Sequence, residues 1–94
     1  MRKITEDACK AFYDNENFKR SNTEVVCSVC STKMYLFGNL IAERNENGLY
    51  ISLCGHNTRT TRERLNGLRN VRVRSRNHVA YLNGFIWNGR RIKV

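Results

Sequence analysis

Residues 34–54, with the sequence MYLFGNLIAERNENGLYISLC, contain two turn signals between three apolar segments. Gly38-Asn39 is suited to positive φ and predicts a tight two-residue hairpin loop. Asn47-Gly48 predicts a second reversal, into a segment in which Leu49, Ile51 and Leu53 alternate with more polar residues. The pattern indicates an antiparallel sheet whose strands are Met34–Phe37, Leu40–Arg44 and Leu49–Cys54.

Upstream of this sheet, the sequence predicts one helix and one strand. Thr5 is a candidate N-cap, Ile4 a staple against Cys9, and the polar run 14–17 a helix end. The helix would bury one face, on which the spacing places Ala8, Cys9, Phe12 and Tyr13. The Val- and Cys-rich segment Glu24–Cys30 then predicts a strand.

Downstream, a second short helix interrupts the strands. Thr60 and Glu63 have the spacing of a capping box, Leu65 and Leu68 anchor the helix, and Asn66-Gly67 predicts a left-handed stop. The remaining predicted strands are Val71–Ser75, Val79–Leu82, Phe85–Trp87 and Arg90–Val94. We therefore predict an α+β fold: an N-terminal helix and an antiparallel sheet of six to eight short strands with one short inserted helix.

Length and composition favour one folded domain over residues 1–94. With 94 residues and 40% hydrophobic content, the chain suits a single core and is too apolar for a disordered basic tail. The longest apolar run, 34–42, is far short of the roughly 20 residues that a membrane span needs. We expect a cytoplasmic protein with no membrane partner, in which the four cysteines stay reduced.

Positive charge is concentrated in the last third of the chain. Residues 59–94 hold ten of the seventeen Lys and Arg residues and one acid, Glu63, whereas residues 1–58 hold seven bases and seven acids. The formal charge of +9 therefore comes entirely from residues 59–94. Nine of the ten bases are arginine, which binds phosphate in two-point fashion and stacks on bases.

The segment 71–76 predicts a row of arginines on one face of a strand. Val71 and Val73 would point inward, and Arg72, Arg74 and Arg76 outward at intervals of roughly 6.6–6.8 Å. Such a row suits the phosphates of a nucleic acid, although a merely solvated face is the alternative interpretation. The candidate nucleic-acid contacts are Arg59, Arg62, Arg64, Arg69, Arg72, Arg74, Arg76, Arg90, Arg91, Lys93, Lys19 and Arg20. The candidates for base stacking are Tyr81 and Trp87, with Phe85 a third aromatic residue in the same stretch.

Other chemistry has less support in the sequence. Cys27, Cys30, Cys54 and His56 are a possible zinc set, but the first pair lies in a Val/Cys pattern that suits a buried strand, so we expect no metal and no cofactor. His56 and His78 are the residues on which acid/base cleavage of RNA would depend. We expect no enzymatic activity.

Several strings resemble a family of small accessory proteins of tailed bacteriophages, mostly without assigned function, over residues 4–94. The strings are 18–25 (FKRSNTEV), 38–42 (GNLIA), 60–66 (TTRERLN), 81–84 (YLNG) and 87–89 (WNG). The resemblance implies a protein that disarms a host factor. It is similar in kind to toxin inhibitory factor A of T-even phages, a basic, RNA-dependent inhibitor of a host toxin ribonuclease.

The sequence thus predicts a non-enzymatic phage accessory protein that binds nucleic acid, with RNA or a single strand favoured over duplex DNA. No predicted helix is long enough for a major-groove reader, whereas a sheet with arginines and aromatics suits unpaired bases. The alternative is a protein-binding inhibitor that docks its basic face on an acidic host protein, such as a toxin or defence nuclease. An oligomer is compatible with both.

Overall fold

The computed structural model describes residues 2–94, which form two helices and nine strands. The fold is α+β, as predicted, with nine strands in two antiparallel sheets rather than six to eight strands in one. Within residues 2–94, neither helix has the length and apolar character needed to cross a membrane. The elements are α1 (Lys3–Asp14), β1 (Phe18–Arg20), β2 (Thr23–Cys27), β3 (Ser31–Leu36), β4 (Asn39–Asn45), β5 (Gly48–Ile51), α2 (Arg59–Asn66), β6 (Val73–Arg76), β7 (Val79–Leu82), β8 (Phe85–Trp87) and β9 (Ile92–Lys93).

The larger sheet has six strands in the order β1-β2-β3-β4-β5-β9 and carries most of the core. Its register aligns Val25, Met34, Ala42 and Ile51, all buried, in one row across four strands. Because aligned residues project from the same face of a sheet, this row forms a continuous apolar surface. Helix α1 covers that surface with residues that include the fully buried Phe12.

The hairpin loop between β3 and β4 lies one residue earlier than predicted. Leu36 pairs with Asn39, so the two loop residues are Phe37 and Gly38, with φ of 51° and 80°. Two successive positive φ values give the turn that matches strand twist, and glycine takes the second position. The predicted strand over 24–30 is likewise shorter, because Cys30 lies in the loop between β2 and β3.

The caps of both helices differ from those predicted. Thr5 is buried inside α1, which begins after Arg2, and its hydroxyl donates to Glu63 Oε1 at 2.7 Å. Thr58, rather than Thr60, caps α2 by accepting from the amide of Thr61. Glu63 does not close a capping box, since its carboxylate bonds Thr5 instead.

Gly67 ends α2 in a right-handed conformation (φ −76°, ψ −12°), so the predicted left-handed stop is wrong. Glycine is needed at this position because there is no room for a side chain: a Cβ would lie 2.6 Å from Cys9 Sγ and 2.9 Å from Thr5 Cγ2. The glycine therefore permits the close approach of α1 and α2. Leu65 and Leu68 are buried as predicted.

The smaller sheet has three strands in the order β6-β7-β8, built as two consecutive hairpins. Its two loops are 77–78 and 83–84, and all four loop residues have positive φ. The predicted strand 90–94 is reduced to β9, which joins the larger sheet beside β5. The last third of the chain therefore contributes to both sheets.

Candidate nucleic-acid interface

The three-stranded sheet turns the predicted arginine row toward solvent. Val71 and Val73 are buried, whereas Arg72, Arg74 and Arg76 are exposed, so the predicted alternation is confirmed. Within residues 2–94, none of these three guanidinium groups has a carboxylate, hydrogen-bond or aromatic partner. They are therefore available to an external anion.

Tyr81 lies beside this arginine row. The register pairs Arg74 with Tyr81 and Tyr81 with Ile86, which places one residue of each strand in a line across the same face. A concave surface of about 1040 Å³ is lined by the three arginines, Tyr81 and the turn at Asn83 and Gly84. We use the name β6–β8 face for the side of the sheet that carries this concave surface and, beside it, Ile86; its residues are Arg72, Arg74, Arg76, Tyr81 and Ile86.

The composition of the β6–β8 face differs from that of a merely solvated surface. Ile86 is 74% exposed on the same side as the arginines, and no acid lies on β6, β7 or β8. Solvated surfaces usually mix both signs of charge and keep large apolar side chains apart. A face that joins cations, a half-buried tyrosine and an aliphatic residue can bind phosphates and unpaired bases together. Sequence reasoning missed Ile86, although the Asn83-Gly84 turn with strict alternation would have aligned it with Tyr81.

Trp87 is not available for stacking. It is 7% exposed on the opposite face of the sheet, and its indole Nε1 donates to the carbonyl of Arg90 at 3.0 Å. Burial of the ring with a satisfied N–H is the usual structural use of tryptophan. Phe85, by contrast, is 78% exposed.

Arg64 is wrongly predicted as a nucleic-acid contact, because it is only 1% exposed. Its Nε donates to Thr23 Oγ1 at 3.0 Å, and its Nη1 donates to Thr5 Oγ1 at 2.6 Å and pairs with Glu63 at 3.1 Å. Burial lowers the pKa of the Arg64 guanidinium from its ordinary value. The side chain joins α2 to α1 and β2 and is part of the core.

Several other predicted contacts already have partners within the chain. Arg62 Nη1 donates to Asn57, and the Arg69 guanidinium lies 4.1 Å from the Tyr13 ring centroid. Arg91 pairs with Glu43 and stacks on Tyr50. Arg20 pairs with Asp7 and lies over Phe18. Arg59, Arg90, Lys93 and Lys19 are exposed, with no ion pair or ring contact in residues 2–94.

Polar side chains fix the backbone of β6 and so position the row. Asn66 binds both backbone groups of Val73, its Nδ2 donating to the carbonyl at 3.0 Å and its Oδ1 accepting from the amide at 2.6 Å. Asn83 Oδ1 accepts from the Arg72 amide, and Asn57 Nδ2 donates to Ser75 Oγ. The arginine side chains therefore take no part in holding their own strand.

The residues of the other candidate chemistries do not form a centre. Within residues 2–94, no three His, Cys, Asp or Glu side chains lie close enough together to hold a metal ion, so Cys27, Cys30, Cys54 and His56 are not assembled. The Cys54 thiol donates to the Leu40 carbonyl at 2.8 Å. His56 and His78 are both exposed, and His78 lies in the loop beside Arg76.

Comparison with known proteins shows the family of this chain. A family model described as Kyanoviridae Gp96 protein matches residues 1–91, nearly the whole chain. The chain belongs to the Kyanoviridae Gp96 protein family. Membership supports the bacteriophage origin that the sequence strings indicated, without assigning a function to the Kyanoviridae Gp96 family. The sequence matches none of the curated proteins and none of the solved structures with which it was compared.

Proposed function

We propose that the protein binds nucleic acid without catalysis, with RNA or another single strand favoured over duplex DNA. In this proposal it acts as a phage accessory protein in the host cytoplasm and counteracts a host defence factor or toxin. The phage family supports the phage setting. The inhibitor role is part of the proposal and comes only from the resemblance in kind to toxin inhibitory factor A of T-even phages that the sequence strings suggest.

One observation supports the proposal most: the β6–β8 face combines three unpartnered arginines with Tyr81 and Ile86. Arginines along an edge strand suit a phosphate backbone, and an aromatic ring on the next strand suits an unstacked base. A duplex hides its bases, so it would use the arginines and leave Tyr81 and Ile86 without contacts. A single strand uses the whole face.

Salt dependence and substitution of the row test the proposal together. Six exposed bases in residues 59–94 lack an internal partner: Arg59, Arg72, Arg74, Arg76, Arg90 and Lys93. If all six neutralise phosphates, log affinity for single-stranded RNA should fall with log salt at a slope of about −4, at about −0.7 per phosphate. Replacing Arg72, Arg74 and Arg76 by Ala should reduce the slope by about 2 and weaken binding to all sequences alike. Fluorescence anisotropy with labelled RNA measures both.

The matched control replaces three arginines whose side chains have internal partners, Arg20, Arg69 and Arg91, by Ala. This variant loses the same formal charge and should keep most of the salt slope. Binding that survives loss of the row, or that falls equally in both variants, would contradict the assignment to the β6–β8 face. Intact labelled RNA after incubation is expected, and cleavage lost on His78→Ala would instead indicate an enzyme.

The alternative function is direct inhibition of an acidic host protein through the same charge. Nuclease treatment separates the two proposals. A purified sample freed of RNA should lose its host-protein binding if nucleic acid is the partner, and should retain it if the basic face binds the protein directly.

A further inference from the structure

Strand β8 is an open edge of the three-stranded sheet. Hydrogen-bonding direction alternates along an antiparallel strand, and Val73 points away from β7 because its amide and carbonyl bind Asn66. Val73 pairs with Leu82, so the backbone groups of Leu82 point away from β6 and bond Phe85 on the other side. The amide and carbonyl of Phe85 therefore face β7, and those of the next residue, Ile86, point away from β7. Within residues 2–94, neither group has a hydrogen-bond partner.

The opposite edge of the same sheet is partly covered. On β6, the outward backbone groups of Val73 are bound by the Asn66 amide, and the Ser75 side chain is bound by Asn57. The Ser75 amide and carbonyl also point outward, and within residues 2–94 they have no hydrogen-bond partner. Helix α2 packs beside β6, so an added strand would have to displace Asn66 and Asn57 there, whereas no such contact obstructs β8.

The side chains of β8 do not protect its edge. Phe85 is 78% exposed and Ile86 is 74% exposed, on opposite faces of the strand. Native edge strands are usually protected by charges, proline or a bulge, and β8 has none of these. Its short length limits pairing to about three residues, so the exposed Phe and Ile would have to supply the apolar contact.

Charge selects the kind of partner. The chain carries a formal charge of +9. Arg90 follows β8 after one turn, and its exposed guanidinium has no partner within residues 2–94. A second copy would bring another +9 against this edge, which opposes association, whereas an acidic segment would be attracted.

We propose that β8 is a docking edge at which an extended, acidic segment of a partner protein adds as a fourth strand. Main-chain bonds to Ile86 supply the pairing, Phe85 and Ile86 contact alternate side chains of the segment on the two faces, and acids of the segment meet Arg90. This proposal shares Ile86 and Arg90 with the proposed nucleic-acid interface but differs from it in the groups that bind, since pairing uses the outward main chain of β8 rather than the guanidinium groups of β6.

A random dodecapeptide library displayed on mRNA and selected against the full chain tests the proposal. Acidic peptides with alternating apolar residues should be enriched. Ile86→Pro removes the outward amide without breaking a bond to β7, and should weaken the selected peptides at least about tenfold. Ile86→Thr keeps the amide and shortens the side chain, so it should weaken them far less.

A second measurement keeps the wild-type protein and changes the peptide. Two versions of a selected peptide are compared, one methylated at the odd-numbered and one at the even-numbered backbone nitrogens. One version should lose binding and the other should keep it, since only one of the two sets of amides faces β8. Selected peptides that are basic, that bind Ile86→Pro as well as wild type, or that tolerate both methylation patterns would overturn the proposal. So would a dimer in sedimentation that Ile86→Pro dissociates, which would assign the edge to a second copy. A circular dichroism spectrum and a thermal unfolding midpoint of Ile86→Pro that match the wild type would show that lost peptide binding concerns this edge and not the fold.

Discussion

At the scale of single residues, Phe37 has a backbone conformation that is unfavourable for a bulky side chain. It has a φ of 51° in the β3–β4 loop and is 72% exposed. A left-handed conformation costs an L-residue with a bulky side chain roughly 1–2 kcal/mol. Because the Phe37 ring is mostly exposed, its burial offsets little of this cost. Asparagine adopts the same conformation more readily, because its short polar side chain bonds locally.

Phe37→Asn should therefore stabilise the protein, by about 0.5–1 kcal/mol in the free energy of unfolding. Urea denaturation followed by circular dichroism measures the change. The matched control is Phe85→Asn, which makes the same replacement at a similarly exposed position without positive φ. Equal effects in the two variants would show that backbone strain at Phe37 is not the cause.

At the scale of elements, the crossing of α1 and α2 depends on the contact of Gly67 with Thr5 and Cys9. Cys9 is buried there, and burial raises the pKa of its thiol to about 11, so it behaves as a small apolar residue. Its Sγ donates to the Arg64 carbonyl at 3.7 Å. The two helices therefore meet through small side chains, and a larger group would force them apart.

Gly67→Ala should destabilise the protein by about 1–3 kcal/mol, the usual cost of overpacking. The backbone of Gly67 suits alanine, which alone would stabilise by about 0.4–1 kcal/mol through the unfolded chain. The clash outweighs this gain because a Cβ would lie 2.6 Å from Cys9 Sγ. Thermal unfolding of Gly67→Ala with and without Cys9→Ala measures the coupling, and partial rescue is expected. If the effects of Gly67→Ala and Cys9→Ala on stability are additive, the contact with Cys9 is not the cause of the destabilisation.

The kinds of element were predictable from sequence, whereas their exact ends were not. Periodicity and Asn-Gly pairs located both helices and most strands, because these signals are local. Thr5 and Thr60 are both plausible caps by spacing, but tertiary contacts decide: Thr5 bonds Glu63, and Thr58 caps α2. The division into two sheets also depends on long-range pairing, since β9 joins β5 rather than β8.

At the scale of the whole molecule, Glu63 connects α2 to the N-terminal segment of the chain. Its carboxylate accepts from Thr5 and pairs with Arg2 and Arg64. The Thr5 hydrogen bond is the main cause that holds the pKa of Glu63 below its ordinary value of 4.5, and the two arginines add to it. The interaction thus favours the charged carboxylate in the folded state.

Stability should fall as the pH drops below about 4.5, because the unfolded chain then binds a proton that the folded state resists. Above that pH the stabilising contribution of Glu63 is complete. Glu63→Gln should flatten the dependence of the free energy of unfolding on pH below about 4.5. Thr5→Val removes the main cause of the lowered pKa of Glu63 and should also flatten the pH dependence of the free energy of unfolding. An unchanged profile in both variants would contradict this account.

The candidate site was predictable only where alternation governs it. The arginine row on β6 follows from a local pattern of valine and arginine. The burial of Arg64 does not, because its side chain bonds residues distant in sequence, Thr5 and Thr23. Charge counting treats all ten bases alike, whereas the fold divides them into core, paired and unpartnered side chains.

The residues that attach β6, Asn66 and Asn83, are different from the arginines that we propose to contact nucleic acid. Since main-chain contacts and Val73 hold the strand, positions 72, 74 and 76 can change without a cost to the scaffold. These three outward residues can therefore change one at a time while each intermediate sequence still folds. Under the proposed function, such changes would alter the contact with nucleic acid and leave the scaffold as it is.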